Sequence, residues 1–122
     1  MGAGTIISLS VLLVKEADQW VARCLQYDVA GQGDTLDEAL ESLGLCLTGH
    51  VLMNVRDKLE PLAGLPNAPP RVWALFDRAW KVDRTHPFRM PAELDEIPEG
   101  LRGSMPEPWQ LPRPTASDVR IY

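Results

Sequence analysis

A chain of 122 residues, 45% hydrophobic and 24% charged, is long enough for one small domain and too short for two independent cores. Its formal net charge of −5 argues against a nucleic-acid backbone as ligand, because such a partner requires a basic patch or stripe and the sequence has none. The acidity is concentrated in residues 1–60, with nine Asp/Glu against four Lys/Arg; residues 61–122 carry eight of each, so a charged partner of the first half is expected to be basic.

Thr5–Val14 is rich in Ile, Leu and Val. Ile7, Leu9, Val11 and Leu13 alternate with Ile6, Ser8, Ser10, Leu12 and Val14, which predicts a half-buried strand. At about ten residues the stretch is too short to span a bilayer. No basic segment precedes it, so no signal peptide or membrane anchor is read and a cytoplasmic location is expected. Glu16-Ala17-Asp18-Gln19 reads as a polar turn into a second strand, Trp20–Tyr27, giving an antiparallel hairpin. Trp20, Ala22 and Cys24 form its small-residue face, suited to close approach by a helix. Val21, Arg23, Leu25 and Tyr27 form the other face, an exposed apolar strip for a partner unless the C-terminal segment covers it. Val29–Gln32 predicts a short third strand broken by Gly31 and Gly33.

Thr35-Leu36-Asp37-Glu38 fits a capping box, in which the threonine hydroxyl accepts from the Glu38 amide and the Glu38 carboxylate reaches back to the Thr35 amide. Asp34, Asp37 and Glu38 also suit the positive end of a helix dipole. Leu36, Leu40, Leu43, Leu47 and Val51 then make one apolar helical stripe. The opposite side begins with Glu38 and Glu41 and continues as Leu45, Gly49 and Leu52, so its first half is expected in water and its second half covered. Gly44 and Gly49 both predict close packing against the helix.

All eleven prolines fall at or after Pro61, so only the first sixty residues permit uninterrupted elements. Residues 61–122 are therefore expected to form a proline-rich extension docked on a domain of residues 1–60. It would contain a short helix over about 70–82, with Val72, Leu75, Phe76 and Ala79 as its stripe and Trp73 and Trp80 flanking it. An extended strap would run from Pro87 to Pro114, and Asp118–Tyr122 would add a strand at the sheet edge. The predicted class is α+β: a small antiparallel sheet of three to four strands, ordered β-β-β-α-(α)-β, with one long helix on one face.

No catalytic set emerges. Asp18, Asp28 and Asp34 sit where turn-formers belong, and Ser8 and Ser10 lie on a strand with no adjacent base. His50 is expected at the edge of the helix stripe and His86 in a loop, neither with a second ligand at metal spacing. Gly31-Gln32-Gly33 lacks the lysine and helix start of a phosphate loop. Cys24 and Cys46 are expected as buried free thiols. No catalytic residue, cofactor, metal or enzyme activity is expected.

The run from Trp20 through Gly33-Asp34-Thr35-Leu36-Asp37-Glu38-Ala39 to about Val55 resembles the N-terminal domain of the HicB antitoxin-like family, in an overlap covering about residues 5–55. That resemblance implies a non-enzymatic protein-binding module that masks a small basic ribonuclease toxin, and a homo-oligomer, with a dimer favoured. The alternatives are a stand-alone oligomeric protein of this type without a toxin, and a remnant ribonuclease-H-like hydrolase. The last would want an acidic residue within the first strand, and Thr5–Val14 has none. Residues 56–122 match neither DNA-binding module that such antitoxins carry, so no direct nucleic-acid contact is expected. The candidate partner-binding residues are Val21, Arg23, Leu25 and Tyr27 on the strand and Glu38 and Glu41 at the helix start.

Overall fold

The structure, a computed structural model, describes residues 5–102 and 105–122. Three strands come first: β1 (Ile6–Glu16), β2 (Gln19–Cys24) and β3 (Val29–Gly33). Then follow α1 (Leu36–Arg56), α2 (Pro70–Arg78), β4 (Trp80–Val82), β5 (His86–Pro87), the one-turn helix α3 (Glu99–Arg102) and β6 (Arg113–Ile121). The class is α+β, as the periodicities predict, but the sheet is mixed and six-stranded, in the order β3-β2-β1-β6-β4 with β5 also on β6.

The β1–β2 hairpin closes through Ala17-Asp18, with Ala17 at φ 53, and pairs Glu16 with Gln19. Leu9, Val11 and Leu13 of β1 and Ala22 and Cys24 of β2 face α1, whose Leu40, Leu43, Leu47 and Val51 are almost wholly removed from water. Each such Leu or Val contributes about 1.5–3 kcal/mol relative to an exposed side chain. Thr35 caps α1 by accepting from the Glu38 amide at 3.1 Å. The Glu38 carboxylate reaches back one residue further than expected, to the Asp34 amide at 2.9 Å.

The glycines of β3 do not break it. A Cβ on Gly31 would lie 2.6 Å from the Ser42 carbonyl carbon and closer still to the Leu43 amide, and one on Gly33 would meet Glu38 and Ala39 at 2.5–2.9 Å. Their bare backbone lets α1 lie directly on the strand.

The C-terminal half departs most from expectation. The last strand starts at Arg113 and lies between β1 and β4, parallel to β1 over eight residue pairs, rather than adding five residues to an edge. Ala116 and Val119 are part of the α1 core. Strands β4, β5 and β6 of residues 61–122 are therefore built into the same sheet as the strands of residues 1–60. Proline lacks only the donor N–H, and the Pro114 carbonyl still accepts from the Phe88 amide at 3.0 Å. Pro87 lies on β5, an edge strand, where a missing donor is tolerated. The helix expected over 70–82 ends at Arg78, because Ala79 turns to extended backbone and Trp80-Lys81-Val82 joins β6 as β4.

Helix α2 covers the sheet face opposite α1, where Val72 and Phe76 pack with Ala68 on Leu12 and Leu25. Arg120 holds it there. Its guanidinium lies 4.2 Å from the Phe76 ring centroid and donates to the Phe76 carbonyl at 3.1 Å, a cation at the negative end of the helix.

Along α1, Leu52 is buried by Ile97 and Leu111, as the expected cover of the second half requires. Leu45 instead stands 71% exposed, His50 is exposed rather than at the core edge, and Cys46 is exposed where a buried thiol was expected. Gly49 also differs: a Cβ there would have nothing within 4 Å. Gly49→Ala should therefore stabilise the protein by about 0.5–1 kcal/mol through lost unfolded-state entropy. A small rise in the urea midpoint at unchanged slope checks this.

Candidate protein-binding groove

Two surfaces were expected to meet a partner, and the fold treats them differently. On the strand side, Leu25 lies past the end of β2, donates from its backbone to the Ser10 carbonyl at 3.0 Å, and is buried beneath α2. Tyr27 does not share that face; it packs against the α1 core. The turn from Leu25 to Asp28 rolls the chain over, so the alternation read through Tyr27 ends at Cys24. Val21 is half-buried opposite Val14, and Arg23 pairs with Asp28 at 3.0 Å. Of the four strand residues, only Val21 and Arg23 stay on the α2 side with partial exposure.

The acidic helix start leads to a better-formed feature. Glu38 is engaged in the cap, while Glu41, one turn further on, is exposed and has no ion-pair partner among the described residues. Glu41 lies on the rim of a groove of about 630 Å³ between α1 and the strap His86–Pro91. Such a volume falls within the ~300–1,000 Å³ usual for binding clefts.

The groove exists because the strap is fastened to the helix at two points. Gly44 lets the Phe88 ring approach the helix backbone, and a Cβ there would meet the ring at 2.9 Å. Thr48 donates its hydroxyl proton to the Arg89 carbonyl at 2.9 Å, with the Met90 sulfur at 3.5 Å. Leu45, Phe88, Met90 and Pro91 give the groove an apolar lining, and Asp37, Glu41 and Glu96 give its rim three carboxylates.

Two cations oppose them. Arg89 pairs with Glu96 at 3.3 Å, and Arg84 approaches Asp37 at 3.8 Å. His86 stacks edge-on against Phe88 at 5.2 Å between centroids. Burial holds the His86 imidazole below its ordinary value, the neighbouring Arg84 adds to this and Asp37 opposes it, which favours the neutral ring. The net field of the groove is negative.

The other polar candidates are accounted for locally. Asp28 is paired with Arg23, and Asp34 accepts from the Gln19 amide at 3.5 Å. Ser10 exchanges hydrogen bonds with the Gln26 side chain at 2.8 and 2.9 Å. Burial pushes the Cys24 thiol up, with backbone hydrogen bonds from Tyr27 and Gln26 opposing, which leaves it a protonated core side chain. No group of three metal-ligating side chains comes together among the described residues, and no helix among them is long and apolar enough to cross a membrane.

Sequence reasoning found Glu41 and flagged Gly44, but missed Leu45, Thr48, Phe88 and Met90. The available signal was Leu45 standing one turn after Glu41 on the side away from the leucine stripe. Comparison of the chain with protein-family models, with curated proteins and with solved structures finds no match to any of them.

Proposed function

We propose that this chain is a non-enzymatic protein-binding module that engages a small basic protein through the acidic outer side of α1 and the groove beside it. The observation that carries this reading is Glu41, without an ion pair among the described residues, at the mouth of an apolar, net-negative groove. The concentration of acid in residues 1–60 supports it, because a basic partner is steered toward that half. The local pairing of Asp28 and Asp34 favours binding over hydrolysis. The resemblance to HicB antitoxins makes a small ribonuclease, masked by protein contact, the first partner class to examine.

The test is a tagged pull-down of the full chain at native expression and low salt, run beside Glu41→Lys. A stoichiometric basic protein is expected. It should be released as ionic strength rises, since screening shortens the reach of charge to about 8–10 Å near physiological salt, and Glu41→Lys should not retain it. Recovery of the bait alone, or of a partner indifferent to salt and to Glu41→Lys, overturns the reading.

A second reading, a stand-alone homo-oligomer, is favoured by Trp80, which stands 82% exposed on the edge strand β4. Bait eluting alone at a multiple of its monomer mass would support that reading instead.

A further inference from the structure

The outer side of α1 carries its groove residues in a regular order. Asp37, Glu41 and Leu45 follow one another at four-residue intervals, on one helical face, with Thr48 closing the row. Successive members are about 6 Å apart along the axis, and the row from Asp37 to Thr48 is about 16 Å long. An extended polypeptide rises about 3.3 Å per residue and points every second side chain the same way, so its like-facing side chains recur about every 7 Å. The two spacings nearly coincide. About five extended residues match the row, with three side chains turned toward the helix.

The chemistry of the row then fixes what those three side chains are. Two carboxylates stand at the end near the helix start. Glu41 has no ion pair among the described residues, and Asp37 is 84% exposed with Arg84 no closer than 3.8 Å, so two cationic side chains of a ligand meet them. Leu45 with Phe88, Met90 and Pro91 makes an apolar recess one step further on, which takes a bulky apolar side chain. Thr48 cannot serve as a fourth contact of the same kind, because its hydroxyl is already donated to the strap.

We infer that the groove between α1 and the strap His86–Pro91 binds an extended segment of a partner protein patterned basic-x-basic-x-apolar. This rests on the basic-partner reading above and specifies the ligand of that same site. The pattern differs from general charge attraction, because it depends on spacing and on the apolar recess.

The test uses fluorescein-labelled nine-residue peptides of equal composition. One carries two lysines and a tryptophan at alternate positions, and the other has the lysines adjacent and the tryptophan moved four residues away. Both are titrated by fluorescence anisotropy against the full chain, Glu41→Lys and Leu45→Asp. Both substitutions lie on exposed side chains, and an unchanged thermal midpoint verifies the fold. The alternating peptide is expected to bind at least about tenfold more tightly than the shuffled one, and each substitution to weaken it at least about tenfold.

Equal binding of the two peptides, weakened by Glu41→Lys but not by Leu45→Asp, overturns the pattern while leaving a basic partner standing. Absence of binding by either peptide also overturns it. Survival of the basic-partner reading is then decided by the pull-down, in which a partner lost with Glu41→Lys and kept with Leu45→Asp shows contact outside the recess.

Discussion

Deleting Arg113–Tyr122 is expected to abolish the cooperative fold, although it removes only the end of what reads as a proline-rich tail. Strand β6 lies between β1 and β4, so its loss unpairs β1 along eight positions and leaves β4 and β5 without any partner. It also takes Ala116 and Val119 out of the α1 core and the Arg120 clamp off α2. The Val119 side chain alone accounts for about 1.5–3 kcal/mol of burial. Each lost ladder bond adds about 0.5–1.5 kcal/mol. Together these are comparable with the whole ~5–15 kcal/mol by which a domain is stable. Far-UV circular dichroism with heating reads the outcome, and the truncated chain should show no sigmoidal transition. A cooperative transition within a few degrees of the full chain would show that β6 is dispensable.

Gly31→Ala should be the most damaging small substitution in the first half. The added methyl group falls on the backbone of Ser42 and Leu43, not on the movable end of a side chain. Relief requires the helix to lift from β3, which disturbs the packing of Leu40, Leu43 and Leu47 at once. Overpacking of this kind reaches about 3 kcal/mol or more, and for a domain of this size that lowers the melting temperature by roughly 10 °C. Differential scanning calorimetry measures it. Gly49→Ala, in α1 itself and with open space around the site, is the control and should move slightly the other way. A Gly31→Ala protein melting with the parent would mean that the helix does not touch β3 as described.

Much of the first half was legible because its information is local. The alternation of Leu9, Val11 and Leu13, the leucine stripe of α1 and the Thr35 cap are properties of short windows, and each appears in the fold where the sequence indicates. The reading weakened where a pattern crossed a turn. Tyr27 continued the numerical alternation of β2, but the chain reverses between Leu25 and Asp28, and the side chain lands on the other face. Gly31 and Gly33 were legible as glycines but not as contact points, since the helix atoms they accommodate are five to twelve residues away.

The candidate site was legible only in its charged half. Glu41 stood out beside the leucine stripe, whereas Phe88, Met90 and Pro91 lay in a proline-rich stretch with no periodicity to interpret. Nothing within that stretch indicates that Thr48, some forty residues earlier, holds the Arg89 carbonyl.

By itself, then, the amino-acid sequence determined the α+β class, the long capped helix, the face of β1 and β2 that it covers, and the acidic character of the first sixty residues. These follow from side-chain period, capping chemistry and charge, all of which act between near neighbours. Only the tertiary structure decided that β6 enters the sheet beside β1, that α2 seals the opposite face over Leu25, and that a strap and a helix forty residues apart form one groove. The physical reason is that strand partnership and strap docking depend on burial shared between distant segments. The apolar surface of either partner is satisfied only by the other, and neither one encodes the pairing alone.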